Sequence, residues 1–340
     1  MNFDINKPYV SIIIPCRNEE NYIIKSLESV INQDYPKDKL EILIIDGVST
    51  DNTKNIVIQF SKNYNFIKVL DNEKKFKSFA LNIGIKNSKG DIIIIIDAHT
   101  TYKSDYISKC VNLLNSNHID NVGGISITLP SKDTVIANAI SIVLSNPFGV
   151  GNSYFRIGIK KPTLVDTVPY GCYKREVFDK IGYFNENLIR NQDIEFNLRL
   201  KKNGGRILLT PDIVSYYYAR PDLKSFFNQN YLNGFWIFYG MKYAKFPFSI
   251  RHLIPLSFIL SIIFTLFISL FSDYSFYLFI FILSLYFIFI CFFSLKIILK
   301  HNIKYLIPII FSFITLHISY GLGSFVGLVK LLYSKVAKNV

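Results

Sequence analysis

Four cysteines in 340 residues, Cys16, Cys110, Cys172 and Cys291, form no CxxC pair and keep no metal-ligand spacing from histidine. A cysteine-built metal site is thereby excluded, and the thiols are expected to stay reduced in a cytosolic setting. Acidic residues are nearly missing from one region: from Arg251 to Val340 seven Lys or Arg face Asp273 alone. That region carries +6 of the formal net charge of +13 and leaves +7 for the first 250 residues. Positive charge flanking apolar segments meets anionic lipid headgroups and helps fix orientation, so membrane lipids are expected partners. No helix-turn-helix, zinc-finger or RNP-type signature occurs, so nucleic acid is not. No signal-peptide pattern opens the chain, because MNFDINKPYV is polar and runs straight into a strand-like stretch. The amino-terminal part is expected in the cytoplasm.

What is abundant is apolar surface. Hydrophobic residues make up 50% of the chain and aromatics 16%, more than a soluble domain carries, and the excess lies after Arg251. The length accommodates one sizeable α/β domain and an appendage. From Tyr9 to about Thr128, short β-rich runs (VSIIIP, EILIID, FIKVL, DIIIIID, NVGGISIT) alternate with helical patterns, which predicts a mostly parallel sheet covered on both faces. Ile92 to Ile96 is apolar at every position, as in a central strand buried on both sides. Beyond Pro130 the pattern predicts a helix near Thr134 to Leu144, a Gly-rich turn at PFGVGNS, a strand near DTVPY and helices on either side of NQDIEFN.

Three regions are expected: an α/β domain over 1–222, a linker over 223–250 and a membrane region over 251–340. Leu223 to Tyr243 is aromatic and amphipathic, which admits both an interfacial helix and an ordinary packing helix. Segments at about 253–271 and 274–295 each hold the roughly twenty apolar residues of a bilayer span. A third, at about 305–329, contains Pro308, His317, Gly321, Gly323 and Gly327, and reads equally as one span or a broken pair. The two short-spaced spans predict a hairpin with its open ends in the cytoplasm, whereas Lys330, Lys335 and Lys338 favour a cytoplasmic carboxyl terminus that three full spans would not allow.

In an open parallel sheet, ligands collect beyond the carboxyl ends of the strands. Three polar clusters fall there: Pro15, Arg17, Asn18 and Glu19 after the first strand, Asp46, Ser49 and Asp51 after the second, and Asp97 and His99 after the run of isoleucines. Ser49 and Asp51 can equally cap a helix. Asp97 sits where a diphosphate would lie, and a carboxylate there suits a hard divalent cation that neutralises a leaving nucleotide diphosphate. His99 serves either as a second ligand or as a loop hydrogen-bonder. A further acidic pair, Asp193 and Glu195, opens a helix. Asp193 is the candidate general base for an acceptor hydroxyl, and the pair complements the helix dipole on the alternative reading.

The stretch VSIIIPCRNEENYIIKSLESVINQDYP, followed by EILIIDGVSTDNT, FALNIGIKNSKGDIIIIIDAHT and NQDIEFNLRL, resembles the family 2 inverting glycosyltransferases of the GT-A fold. More narrowly, NPFGVGNSYFR, DTVPYGCYKREVF, LIRNQDIEFNLRLKKNGGRILLTPDI and RHLIPLSF are similar to the succinoglycan-biosynthesis type of exopolysaccharide transferases. The resemblance covers about residues 8–260. It implies that Pro15, Arg17, Asn18 and Glu19 line a nucleotide pocket, that Asp46 reads the base, that Asp97 and His99 stand at the metal-binding DxD motif, and that Asp193 is the catalytic base. His99 replaces the second acid of that motif, though histidine is still a competent ligand for manganese or a similar ion. Gly47 replaces an acid often found after Asp46. The QxxRW signature of processive synthases is absent. Gln229 and Trp236 echo it in part and, with Gln192, are assigned to the acceptor side.

The resemblance implies a membrane-anchored, metal-dependent (Mg or Mn) inverting transferase that moves a sugar from a nucleotide-sugar donor, a uridine-diphosphate sugar, to a lipid-linked saccharide in surface polysaccharide synthesis. A polyprenyl-phosphate glycosyltransferase is the rival enzyme. A transporter or scaffold with a nucleotide-sensing domain is the rival outside enzymes. Against it stands the lack of Asp, Glu, Lys or Arg from His252 to Ser272.

Overall fold

The structure, a computed structural model, describes residues 7–116, 118–244 and 250–336. Part of the expected linker, 245–249, and Lys338 lie outside the described residues. In chain order the elements are β1 (Val10–Cys16), α1 (Ile23–Ile31), β2 (Leu40–Asp46), α2 (Thr53–Ser61), β3 (Ile67–Asp71), α3 (Lys77–Asn87), β4 (Ile92–Ile95), β5 (Thr100–Tyr102), α4 (Tyr106–Ser116) and β6 (Asn121–Pro130). There follow α5 (Val135–Leu144), the one-turn helices α6 (Pro147–Val150) and α7 (Tyr154–Ile157), β7 (Thr163–Leu164), β8 (Cys172–Lys174), α8 (Arg175–Ile181), α9 (Gln192–Lys202) and β9 (Ile207–Ala219). The chain ends in α10 (Leu223–Tyr239), α11 (Ile250–Ile268), α12 (Asp273–Ile298) and α13 (Leu306–Val336).

The strands form one mixed sheet in the order β3-β2-β1-β4-β8-β6-β9-β5, with β7 on β9. β3, β2, β1 and β4 are parallel neighbours, and Val10 to Ile13 pair with Ile92 to Ile95. β8 runs antiparallel to β4 and β6. Every residue of β1, β2 and β4 is buried, because helices cover both faces of these strands. Each fully buried Ile or Leu adds about 1.5–3 kcal/mol of transfer free energy. Successive crossovers move outward from β1 to β3, and α3 then carries the chain back to β4 on the other side of β1. The order therefore reverses between β1 and β4, and a crevice opens at their carboxyl ends.

Two strands depart from the expectations. β9 is thirteen residues long and alternates buried and partly exposed side chains from Ile213 onward, a pattern that Pro211 and Asp212 obscure in the sequence. Asp166 to Tyr170 is irregular rather than a strand: Pro169 lacks an N–H for the ladder and Tyr170 takes φ 50°.

The chain forms two compact units, Met1–Ile127 with Gly158–Tyr217, and Thr128–Ile157 with Tyr218–Val340. Among its described residues the second unit holds three helical stretches long and apolar enough to cross a membrane, Arg251–Ile268, Asp273–Ile298 and Ile303–Ser334. α12 leaves Tyr277, Phe281 and Ile288 more than half exposed, a surface that water would not favour. α13 is a single helix: Pro308 falls in its first turn, where no helical N–H is needed, and its glycines serve packing. Tyr231 backs onto Gly323 and Phe235 onto Gly327, so α10 runs alongside α13 in the same direction, backbone against backbone. A Cβ at Gly323 would strike the Tyr231 carbonyl, which belongs to a helix and cannot turn away. Gly323→Ala should therefore destabilise the helical unit by about 1–3 kcal/mol. Thermal unfolding of the purified chain in detergent checks this, and an unchanged melting temperature would contradict the close α10–α13 packing.

Candidate active site

The crevice between β1 and β4 is bordered by the first two polar turns of the chain. After β1, Asn18 adopts φ 56°, and its Oδ1 accepts from the Thr50 N–H at 2.8 Å while its own N–H donates to Ser49 Oγ at 3.0 Å. Asp46, fully buried at the end of β2, accepts from Ser49 Oγ at 2.5 Å and from the Ser49 N–H at 3.1 Å. Asp51 accepts from the Thr53 N–H at 3.0 Å and the Glu20 N–H at 3.3 Å, so its carboxylate holds the α2 start against the β1 loop. Pro15 is buried within β1, and Arg17 is exposed at the rim with its stem 3.3 Å from where a Cβ of Gly47 would lie. The glycine that departs from the acid expected after Asp46 thus leaves room for Arg17.

Asp97 leaves the core at the end of the isoleucine run with its backbone fixed on both sides. Its N–H donates to the Tyr102 hydroxyl at 3.0 Å, and its carbonyl accepts from Ser26 Oγ at 3.1 Å. The carboxylate is ion-paired with Lys77, the first residue of α3. Burial pushes the Asp97 carboxyl up, but Lys77 and His99 outweigh it and hold the group below the usual carboxylate range. His99 reaches back across the switch point, its Nδ1 2.9 Å from Glu19 Oε1. With Glu19 accepting from Nδ1–H, the imidazole keeps Nε2 as its ligating nitrogen, the arrangement by which a carboxylate orients a metal-binding histidine.

α9 supplies the third charge. Asn191, at φ 60°, turns the chain into the helix, and Gln192 is buried at its first position. Below it, Asn197 Oδ1 accepts from Asn121 Nδ2 at 2.9 Å and Tyr173 OH at 3.1 Å, and Phe196 stacks on Phe184 at 4.4 Å. The two acids of the first turn then part company. Glu195 takes both Arg199 Nε and Nη2 at 2.9 Å, a bidentate pair that, through Arg199, also fastens the carbonyls of Ile181 and Tyr183. Asp193 is exposed at its residue surface and lies within the fields of Lys77 and Asp97. Crowding by protein atoms pushes its carboxyl above the ordinary range, opposed by Lys77 and by the backbone N–H groups of the helix start and assisted by Asp97. Lys77 feels the reverse: burial lowers it, and Asp97, Asp193 and Glu19 together keep it raised.

The structure thus gathers Glu19, Asp97 and His99 at the switch point, with Asp46, Ser49 and Asn18 in the adjoining turn and Asp193 in electrostatic reach. Gln229 and Trp236 lie on α10 in the second unit, Trp236 buried against Phe235 and Tyr239. Nothing in the sequence singles out Lys77, one of several lysines clustered around the start of α3. Tyr102, whose hydroxyl fixes the Asp97 backbone, belongs to a strand too short to show a period. Among the described residues no three His, Cys, Asp or Glu converge as a preformed metal cage.

A crevice at a β1/β4 switch point, edged by Asp97 and His99 and faced by a helix-borne carboxylate, on this mixed sheet, is that of a GT-A transferase. The chain belongs to glycosyl transferase family 2, whose family model matches residues 11–182, about half of its length. It is 37% identical over 268 residues to the dolichyl N-acetyl-alpha-D-glucosaminyl phosphate 3-beta-D-2,3-diacetamido-2,3-dideoxy-beta-D-glucuronosyltransferase of Methanococcus voltae, covering 76% of this chain and 82% of the relative. It is 27% identical to the succinoglycan biosynthesis protein ExoA of Rhizobium meliloti, over 72% of this chain and 74% of that one. Among solved structures, a mannosyltransferase from Pyrobaculum calidifontis in complex with GDP-Man and Mn2+ shares the fold with a TM-score of 0.60 at 17% identity, covering 93% of this chain and 88% of that one.

If Asp193 acts as a base, it does so only above its raised pKa, so turnover should then fall as pH drops through a value above that of a free carboxylate. Lys77 is the cation that lowers Asp193, and its removal in Lys77→Met should move this acid limb to higher pH. A profile of kcat against pH for both proteins decides it, and a limb that stays in place or moves down would contradict the coupling.

Proposed function

We propose that this glycosyltransferase is membrane-anchored and inverting, and that it moves a sugar from a nucleotide-sugar donor, a uridine-diphosphate sugar, to a lipid-linked saccharide of a surface polysaccharide. The observation that carries the chemistry is Asp193, a carboxylate with a raised pKa in the field of Lys77 and Asp97, while its neighbour Glu195 is committed to Arg199. In transfer with inversion, the acceptor oxygen attacks the anomeric carbon from the face opposite the diphosphate. Asp193 takes the hydroxyl proton as the new bond forms and the bond to the diphosphate breaks, so one base suffices. Asn18, Asp46, Ser49 and Arg17 serve the nucleotide side. The acceptor reading is supported by the Methanococcus voltae relative, whose name specifies a dolichyl phosphate that already carries a sugar. The three long apolar helices support the membrane anchor, and the lysines around Lys300 support a cytoplasmic catalytic domain.

The donor set at the switch point fits a divalent ion, Mg or Mn. Asp97, through its carboxylate, and His99, through an imidazole whose tautomer Glu19 fixes, would hold it, and among the described residues no third protein ligand joins them. Such an ion would supply charge neutralisation for the departing diphosphate.

Asp193→Asn should lower turnover about a hundredfold to ten-thousandfold while donor binding survives, because the amide keeps the shape but cannot take a proton. Nucleotide release and nucleotide binding, measured on the purified variant, check the two halves. Unchanged turnover would remove Asp193 from the role, and product analysis with a lipid-linked saccharide against a bare polyprenyl phosphate separates chain extension from the first transfer onto lipid.

A further inference from the structure

α3 carries the stretch FALNIGIK, and the catalytic edge makes no use of its two polar side chains, Asn82 and Lys86. They stand one helical turn apart on one face, and both reach the segment that joins α8 to α9. Asn82 is 4% exposed and spends both amide hydrogens and its oxygen there. Its Oδ1 accepts from the Phe184 N–H at 3.0 Å, and its Nδ2 donates to the Phe184 carbonyl at 2.9 Å and to Glu186 Oε1 at 2.8 Å. The side chain thus pairs with Phe184 as a neighbouring strand would. One turn on, the Lys86 ammonium lies 5.3 Å from the centre of the Tyr183 ring.

The other side of the same segment belongs to α9. Arg199 holds the carbonyls of Ile181 and Tyr183, and the buried Phe184 ring stacks on Phe196 at 4.4 Å. Gly182 to Asn191 forms neither helix nor strand, so no backbone ladder fixes its course and its place comes from these side-chain contacts. Tyr183 and Phe184 are therefore the joint between two helices, each of which bears a charge of the crevice at its start. Lys77 lies five residues before Asn82, about 7.5 Å along α3, and Asp193 three residues before Phe196, about 4.5 Å along α9. The two charges lie within each other's field.

We infer that Asn82 is a positioning residue for sugar transfer: by clasping Phe184 and Glu186 it sets the start of α9, and with it Asp193, against Lys77 at the start of α3. The inference rests on the reading of Asp193 as the base. A carboxamide suits the joint because it offers a donor and an acceptor side by side to one peptide group, whereas a carboxylate of the same shape offers acceptors only. Asn82→Asp would keep the volume, leave the Phe184 carbonyl and Glu186 without their donor, and set two carboxylates face to face. α9 would then be free to shift, and a reacting group misplaced by about 1 Å loses up to about a hundredfold in rate. The turns after β1 and β2 lie outside this joint, so nucleotide affinity should not change.

The full chain in detergent is assayed for release of UDP from UDP-glucose, UDP-galactose, UDP-N-acetylglucosamine and UDP-glucuronate with water as acceptor, and for UDP binding by calorimetry. With the sugar nucleotide consumed, Asn82→Asp should lower kcat about tenfold to a hundredfold while KM and UDP affinity stay within about twofold. Adding Glu186→Gln, whose amide supplies a donor across the joint, should restore part of kcat. Should Asn82→Asp not fold, Glu186→Ala removes only the outer contact and should lower kcat a few-fold at the same UDP affinity. Independently of any substrate, double electron–electron resonance is measured between spin labels at the exposed positions Asn87 on α3 and Lys201 on α9, in a Cys291→Ser background. One narrow distance is expected in the unaltered chain, a broader or shifted one in Asn82→Asp, and a narrower one again with Glu186→Gln. Unchanged kcat, a loss of UDP affinity equal to the loss of kcat, no recovery in the double variant or an unchanged distance would each overturn the inference. Consumption of none of the four sugar nucleotides counts against the proposed donor, and the distances alone then decide the inference. If Asn82→Asp turns over normally while Asp193→Asn does not, the joint fails and the base stands. If Asp193→Asn turns over normally, the base fails whatever the distances show.

Discussion

The ion pair between Lys77 and Asp97 is the constraint on which the catalytic edge depends. β4 is buried on both faces, so a charge can appear only where the strand ends, and Asp97 is the first residue past the isoleucine run able to carry one. There it meets the field of a second carboxylate, Asp193, and two acids in one crevice raise each other unless a cation intervenes. Lys77 is that cation, and the sheet fixes its position. α3 lies so close on β1 and β2 that a side chain at Gly84 would run into Ile13 and Ile45, and the helix start is therefore delivered at a set height above Asp97. One lysine thereby sets the two acids apart, Asp97 held below the usual carboxylate range and Asp193 left above it.

Around that pair the edge is built from side chain to backbone hydrogen bonds that cross between loops rather than stay within them. Asn18 holds Thr50, Ser49 holds Asn18, Thr53 Oγ1 accepts from the Glu19 N–H at 2.7 Å, and Glu20 accepts from the Asn52 N–H at 2.9 Å. Residues in such turns would otherwise sample many conformations, and Asn18 and Val48 both occupy the left-handed region. Tying the loop after β1 to the loop after β2 means that a ligand entering the crevice would meet groups already in place, so less of its binding energy would be spent on ordering them.

The parallel half of the sheet was legible because burial on both faces writes continuous apolar runs, and the acids that end those runs were legible because nothing apolar could explain them. Asp46 and Asp97 were singled out by that logic and His99 by standing two residues past Asp97, whereas Asp193 was singled out as an acid at a helix start. Lys77 was not, since a lysine in a polar turn looks like any solvated lysine until the fold brings Asp97 beneath it. The separate fates of Asp193 and Glu195 were equally hidden: both fit a helix start, and only the approach of Arg199 with the carbonyls of Ile181 and Tyr183 removes Glu195 from the cleft. β9 and β5 escaped because proline, charge and brevity mask a two-residue period.

The helical unit is specified by a different balance of forces. Where helices are apolar all round, burial alone does not distinguish one packing from another, since a lipid tail contacts leucine as well as a neighbouring helix does. Specificity must then come from shape and from the few polar groups. Several hydroxyls here are spent locally, as when Thr265 Oγ1 donates to the Ser261 carbonyl at 2.7 Å and Ser261 Oγ to the Phe258 carbonyl at 2.8 Å. Two histidines are spent otherwise. His317 joins α13 to α12 and to the Phe148 loop, and His252 joins α11 to α13. Gly323 and Gly327 admit α10 and Gly321 admits α11, so with the His317–Tyr286 contact α13 is the element against which α10, α11 and α12 are registered. The charge of this unit follows the same division of labour. It holds thirteen Lys or Arg and three acids, +10 of the chain's +13, which leaves only +3 for the α/β unit. Like charges gathered in one unit repel one another, so the helical unit carries an electrostatic cost that the nearly balanced α/β unit does not.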